Sequence, residues 1–177
     1  RCIGMGGDNL MPQVSTVRED RPKGKAISDR RRDIFKTTHL PRIKAFPGAR
    51  DLVDAIKARG LTMVAASSAK KDELQPLLKV AGVDTLLDAA TSSDDAEESK
   101  PDPDIVQAGL KQAKARAEDT IMIGDTPYDI ESAGRAGVRV IAFRCGGWND
   151  ADLKGAAAIY DGPADLLANL DRSPVAW

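Results

Sequence analysis

Five positions in this sequence have side chains whose types and spacing could do chemistry together: Ser67 with Ser68, Lys100, Asp125 and Asp129. The two carboxylates stand in Gly124-Asp125-Thr126-Pro127-Tyr128-Asp129, directly after the apolar run Thr120-Ile121-Met122-Ile123. That run is short and β-branched or bulky, which predicts a fully buried parallel strand. Gly124 permits a tight exit, and Pro127 suits the first turn of a helix. Asp125 is therefore expected at the carboxyl end of a strand, with Asp129 one helical turn further on. In open α/β sheets, ligands bind at that edge. Two carboxylates so close repel each other unless a cation sits between or beside them. A small number of oxygen ligands favours Mg²⁺ completed by water. Taken alone, the pair is explained as well by an N-cap aspartate followed by a solvated helix aspartate.

The other positions change that balance. Ser67 and Ser68 follow the apolar run Leu61 to Ala66 and precede a helical pattern from Lys71. A hydroxyl with backbone N–H groups at a helix start can bind a phosphate oxygen. Lys100 stands in a proline-stiffened loop, Ser99-Lys100-Pro101-Asp102-Pro103, and supplies a compact positive charge. Singly, each has a structural explanation: an N-cap serine, a surface lysine, a turn aspartate. Together, at successive strand ends, they describe a pocket for a phosphoryl group.

The elements that must position these residues begin at Phe46-Pro47-Gly48. From there helix and strand patterns alternate. Helices are predicted over Ala49–Arg59, Lys71–Ala81, Asp104–Ala115, from Pro127 to Ala136, and from Pro163 to Leu170. Strands are predicted over Leu61–Ala66, Asp88–Thr91, Thr120–Ile123, Val138–Phe143 and Ala157–Tyr160. Repeated strand–helix units imply a Rossmann-like α/β core, a doubly wound parallel sheet with helices on both faces and right-handed crossovers. The core is assigned to residues 46–177. Residues 1–45 form a partial helical subdomain: a plain loop at Gly4-Met5-Gly6-Gly7-Asp8-Asn9, a connector over Arg18–Lys25, and a helix from Ser28 to Thr38. The tract Arg30-Arg31-Arg32 is expected on the solvated face, and His39, the single histidine, in a structural role.

Composition excludes several classes. With 26 Lys plus Arg against 27 Asp plus Glu in 177 residues, no sequence-wide basic field points to nucleic acid. No apolar run approaches membrane-span length. The two cysteines, Cys2 and Cys145, lack metal or redox spacing, and reduced thiols in a cytoplasmic protein are expected.

These residues resemble the haloacid dehalogenase superfamily, in its phosphoglycolate-phosphatase-like and β-phosphoglucomutase-like branch. Ser67 is similar to the family's second motif, Ser99-Lys100-Pro101-Asp102-Pro103-Asp104 to its third, and Gly124-Asp125-Thr126-Pro127-Tyr128-Asp129 to its fourth. The likeness runs from Phe46 to about Gly147, and residues 1 to about 45 resemble the tail of the family's helical cap. It implies Mg²⁺-dependent hydrolysis of a small phosphorylated metabolite. Ser67, with the backbone of Ser68, would bind phosphoryl oxygens, and Lys100 would offset the negative charge. Asp125 would bind Mg²⁺ directly or through water, and Asp129 would steady that site or add a ligand. Gly6, Gly7 and Asp8 of the cap would shape leaving-group specificity. The two-aspartate fourth motif resembles the phosphatases more than the mutases. A phosphosugar mutase and a catalytically inactive binding module are the alternatives.

The resemblance also implies a first motif, Asp-x-Asp-Gly-Thr after an apolar strand, whose first aspartate is the nucleophile. The sequence does not contain it. Asp102-Pro103-Asp104 and Asp150-Ala151-Asp152 have the spacing, but neither follows an apolar strand. In the family fold that strand lies between those ending at Ser67 and Asp125, so its loss would leave an unpaired gap. The chain also opens at Arg1 without an initiator methionine. The expectation is a piece of a longer enzyme, with the nucleophile outside these 177 residues.

Overall fold

The apolar runs fold as strands and the periodic segments as helices, in the predicted alternation. The structure is a computed structural model that describes residues 4–5, 7–18, 20–96 and 100–175. Gly6, Ser99 and Cys2, and the side chain of Asp8, lie outside the described residues. In chain order the elements are α1 (Gly7–Val14), α2 (Pro22–Ile34), α3 (Ala49–Lys57), β1 (Val64–Ala66), α4 (Lys71–Ala81) and β2 (Ala89–Thr91). They continue with α5 (Asp104–Ala113), β3 (Ile121–Gly124), α6 (Pro127–Arg135), β4 (Arg139–Phe143), β5 (Ala158–Tyr160) and α7 (Pro163–Ala168). Gly82 ends α4 in the left-handed conformation, φ 70°, which a residue with a Cβ adopts only under strain.

All ladders are parallel. β1 pairs with β2, placing Val64 opposite Ala89 and Ala66 opposite Thr91. β4 lies between β3 and β5, with Ile123 opposite Ile141 and Ile141 opposite Ala158. Helices cover both faces, as alternation along β4 shows. Ile141 and Phe143 pack with Leu52 and Ile56 of α3 and Leu166 of α7. Val140, one residue out of phase, packs with Ile105 and Val106 of α5 and Ala133 of α6. This is the Rossmann-like architecture expected from the sequence. Among the described residues no helix is long and apolar enough to cross a membrane.

Among the described residues, no pairing joins the two ladders. A cavity of about 780 Å³ lies between β1 and β3, lined by Leu61 to Ala66 and by Asp119 to Ile123. Its faces are closed by Leu52 and Ile56 of α3 and by Val106 and Leu110 of α5. The strand before Asp125 was expected to be fully buried. Every residue of β3 is instead only half-buried, whereas four of the five residues of β4 are buried. The reason is local: β3 has a neighbour on one edge only.

Four expectations for residues 1–45 are corrected. The glycine-rich patch is not a plain loop, because Gly7 opens the helix α1. The connector ends early, because Pro22 sits in the first turn of α2, where its missing N–H leaves no bond unmade. The helix expected over Ser28–Thr38 thus starts at Pro22 and ends in a wider π-helical turn, Phe35–His39. The arginine tract is not merely solvated. Arg31 donates at 3.0 Å to Glu73, a carboxylate only 5% exposed in the first turn of α4, and Arg32 lies 4.0 Å from Asp72. Lys36 joins them with a 2.7 Å bond to Asp72. These contacts dock the N-terminal helices on the core.

Candidate active site

The carboxyl ends of β1 and β3 converge on Lys100. Its ammonium donates to the Ala66 carbonyl, the last residue of β1, at 3.2 Å, and to Asp129 Oδ1 at 2.7 Å. Lys100 is 7% exposed and Asp129 5%, so the two form a buried ion pair, which sets aside the plain explanations of a surface lysine and a solvated helix aspartate. A charge so far from water is tolerated only where it is paired and hydrogen-bonded.

Asp129 is fully engaged. Its Oδ2 accepts from the Asp125 N–H at 3.1 Å, the Thr126 N–H at 3.0 Å and the Thr126 hydroxyl at 2.8 Å. Thr126, not Asp125, caps α6, and Thr126 and Asp129 form a reciprocal capping box. Burial alone would raise the Asp129 pKa. The adjacent Lys100 charge, with hydrogen bonds from Lys100, Thr126 and the Asp125 N–H, outweighs burial and holds it below the ordinary carboxylate value. Gly124 makes this fold-back possible, because a Cβ there would lie 2.6 Å from Asp129 Cβ.

Asp125 is the opposite case. Its half-buried carboxylate has no hydrogen-bond partner among the other described residues. Burial first, and the Asp129 charge second, push its pKa up, against the pull of Lys100. A carboxylate in that state is an oxygen donor whose chemistry suits Mg²⁺. Among the described residues no cluster of three or more His, Cys, Asp or Glu side chains is placed to hold a metal. The chain therefore fits the ion as part of a site. Asp125 would be the ligand, Asp129 anchors the loop that carries it through the Asp125 and Thr126 N–H groups, and other oxygens would complete the shell.

The second strand end carries the two serine hydroxyls. The Ser67 N–H continues the β1–β2 ladder to the Thr91 carbonyl at 3.1 Å, and its hydroxyl oxygen accepts from the Ala69 N–H at 3.1 Å. Ser68 Oγ is buried without a hydrogen-bond partner among the described residues. An orphaned buried hydroxyl at a loop-to-helix junction is a group that a bound oxygen would satisfy.

Four contributors escaped the sequence reading. Thr126 was legible in principle, since Thr-x-x-Asp before a helix is a capping-box signature. Gly146 presses on Asp125: a Cβ there would overlap the Asp125 carbonyl and lie 2.6 Å from Oδ2. The Gly146-Gly147 pair after β4 was its only signal. Gly4, at φ 103°, passes so close that a Cβ would lie 2.6 Å from Thr126 Cγ2. Asn9 Nδ2 reaches the Lys100 carbonyl at 3.3 Å. The N-terminal segment thus lies over the fourth motif and the Lys100 loop, a contact with no local sequence signal.

A family model described as haloacid dehalogenase-like hydrolase matches residues 1–143, most of the chain and all five positions above. The chain belongs to this family. The phosphoglycolate phosphatase of Rhodospirillum rubrum is 32% identical over 124 residues, 68% of this chain and 51% of its own length. The pyrophosphatase PpaX of Bacillus mycoides is 27% identical over 142 residues, 76% of this chain and 63% of its own. A solved structure of a hydrolase from Pseudomonas syringae superimposes with a TM-score of 0.89 at 28% identity, covering 97% of this chain and 80% of that one. The chain thus spans between half and two thirds of the length of these two curated relatives.

Proposed function

We propose that this haloacid dehalogenase-like chain carries the phosphate- and metal-binding half of a phosphatase acting on small phosphate monoesters. The observation that supports it most is the pairing at one rim of a buried, charge-neutralised Lys100–Asp129 unit with an Asp125 carboxylate that no other described residue hydrogen-bonds. Ser67 and the orphaned Ser68 hydroxyl donate to phosphoryl oxygens. Lys100 opposes the charge that gathers there, an effect strongest where water is excluded. Asp125 binds Mg²⁺, whose charge offsets that of the phosphoryl group and of the nucleophile. Asp129 does not bind substrate: it holds Lys100 and the Asp125–Thr126 backbone in place.

The nucleophile is an aspartate outside these residues; its carboxylate attacks phosphorus as the ester P–O bond breaks and the alcohol leaves with a proton, and water then hydrolyses the aspartyl-phosphate to inorganic phosphate and the free carboxylate. The phosphoglycolate phosphatase and pyrophosphatase likenesses favour a small phosphorylated substrate, and the N-terminal segment over Thr126 and Lys100 is positioned to sort leaving groups. The test is turnover of a panel of small phosphate monoesters, with and without Mg²⁺, by the polypeptide that carries the nucleophile. Lys100→Ala abolishes turnover while the circular dichroism spectrum is retained. Near-full kcat in that variant rules out the assignment.

A further inference from the structure

Helix α6 holds the Lys100 loop by more than its ammonium. Asp129, Ser132 and Arg135 stand three residues apart on α6, so they are neighbours along one face. Each bonds to the loop that precedes α5. Asp129 accepts from the Lys100 ammonium at 2.7 Å, the Ser132 hydroxyl donates to the Asp102 carbonyl at 2.7 Å, and Arg135 donates to the Asp102 carboxylate at 3.0 Å. The loop is thus gripped by a side chain at Lys100 and by its backbone at Asp102.

These contacts are unequal. The Arg135 and Asp102 side chains are 47% and 39% exposed, and an ion pair in water contributes little. Ser132 is fully buried. A serine inside a helix ordinarily turns to water or back to a carbonyl of its own helix. This one sends its hydroxyl to a carbonyl in another segment of the chain. Alanine is a better helix former and has no polar group to satisfy, so neither propensity nor packing accounts for a hydroxyl here. The loop, in turn, is poor in donors of its own. Pro101 and Pro103 flank Asp102, and neither has an N–H. Its carbonyls are met from outside, at Asp102 by Ser132 and at Lys100 by Asn9 of α1, 3.3 Å away.

We infer that Ser132 is a positioning residue for Lys100. Its hydroxyl fixes the backbone from which the Lys100 side chain reaches between the Ala66 carbonyl and Asp129. Ser132 itself meets no substrate. Without the hydroxyl, α6 keeps the Lys100 ion pair and the exposed Arg135 contact, and the loop backbone loses its buried tether. The grip stands on geometry; its effect on turnover deepens the phosphatase reading and rests on it.

The test sets Ser132→Ala beside Ser173→Ala, a control of the same kind. Ser173 is 5% exposed and donates at 2.8 Å to the carbonyl of Leu170, a member of the α3 cluster. Acetic anhydride labelling of the lysines in the 177-residue chain is quantified by mass spectrometry, with urea unfolding of the same proteins. Ser132→Ala speeds labelling of Lys100 by about 2- to 10-fold, the change that one neutral hydrogen bond makes to an opening equilibrium, and leaves Lys57 and Lys79 unchanged. Ser173→Ala leaves Lys100 at the wild-type rate. Lys100 labelling in Ser132→Ala no faster than in the control overturns the inference. Ser132→Cys, a weak donor, takes the place of the alanine variant if that protein does not fold.

Turnover separates the two readings. In the polypeptide that carries the nucleophile, Ser132→Ala lowers kcat by roughly 10-fold and moves KM by less than about twofold, part of the ~100-fold that a misplaced group can cost. Faster labelling with unchanged kcat in an active enzyme makes the grip merely structural and overturns the positioning role. Faster labelling with no turnover by the unsubstituted polypeptide leaves the positioning of Lys100 standing and removes the phosphatase reading.

Discussion

Removing the Asp129 carboxylate tests the electrostatic core of the site without any substrate. In Asp129→Ala, the Lys100 ammonium, 7% exposed, keeps only the Ala66 carbonyl at 3.2 Å, and three donors around Oδ2 lose their acceptor. Leaving one partner of a buried pair unpaired costs ~3–5 kcal/mol. For a domain whose whole stability is about 5–15 kcal/mol, that is a large share. Lys100→Met is milder, ~1–3 kcal/mol, because Asp129 retains the Asp125 N–H and both Thr126 donors. The double variant is no less stable than Asp129→Ala, since the group stranded in the single variant is gone. The assay is urea unfolding followed by far-ultraviolet circular dichroism, in EDTA, with m-values compared across the four proteins. Strictly additive losses, or a cost below about 1 kcal/mol for Asp129→Ala, would refute the buried-pair account.

Other perturbations separate the two aspartates and the supporting glycine. The Asp129 carboxyl, held below its ordinary value, contributes stability above its unfolded pKa, and that contribution is lost as pH falls through the folded value. The acid limb of unfolding should therefore flatten in Asp129→Asn, measured by Tm against pH. Asp125 has the reverse sign: its folded pKa is raised, so its charge costs stability as pH rises through that value. Asp125→Asn should raise Tm by ~2–4 °C at neutral pH without divalent cations, and lose the rise in Mg²⁺. Identical Mg²⁺ responses in the two proteins would remove Asp125 as the ligand. Gly146→Ala should lower stability by ~1–3 kcal/mol through overlap with Asp125, read by urea unfolding, and weaken Mg²⁺ binding in calorimetry.

Much of this architecture was legible because its signals are local. The run before Gly124 announces a strand, Gly82 ends α4 where its left-handed φ is needed, Ser67 and Asp125 directly follow β1 and β3, and Lys100 lies in the proline-flanked loop before α5. What escaped notice depends on distance through the fold. Arg31 reads as one of three solvated arginines until α2 lies against Glu73. Asp129 reads as a helix-surface aspartate until the Lys100 loop crosses it. β3 reads as fully buried because its own residues are apolar, whereas its exposure is set by what pairs with its other edge. The divided sheet was expected only through the family resemblance. Periodicity within β1 and β3 contains no record of the strand between them.

The central claim is that Ser67, Ser68, Lys100 and Asp125 form a binding half-site that cannot turn over a phosphate ester alone. The most direct measurement combines the intact mass of the purified chain with its Mg²⁺-dependent phosphatase activity. At a mass of 18.9 kDa, no phosphate release above background is expected from any small monoester. Undiminished turnover by a chain of that mass would contradict the account, because the nucleophile would then lie within these residues.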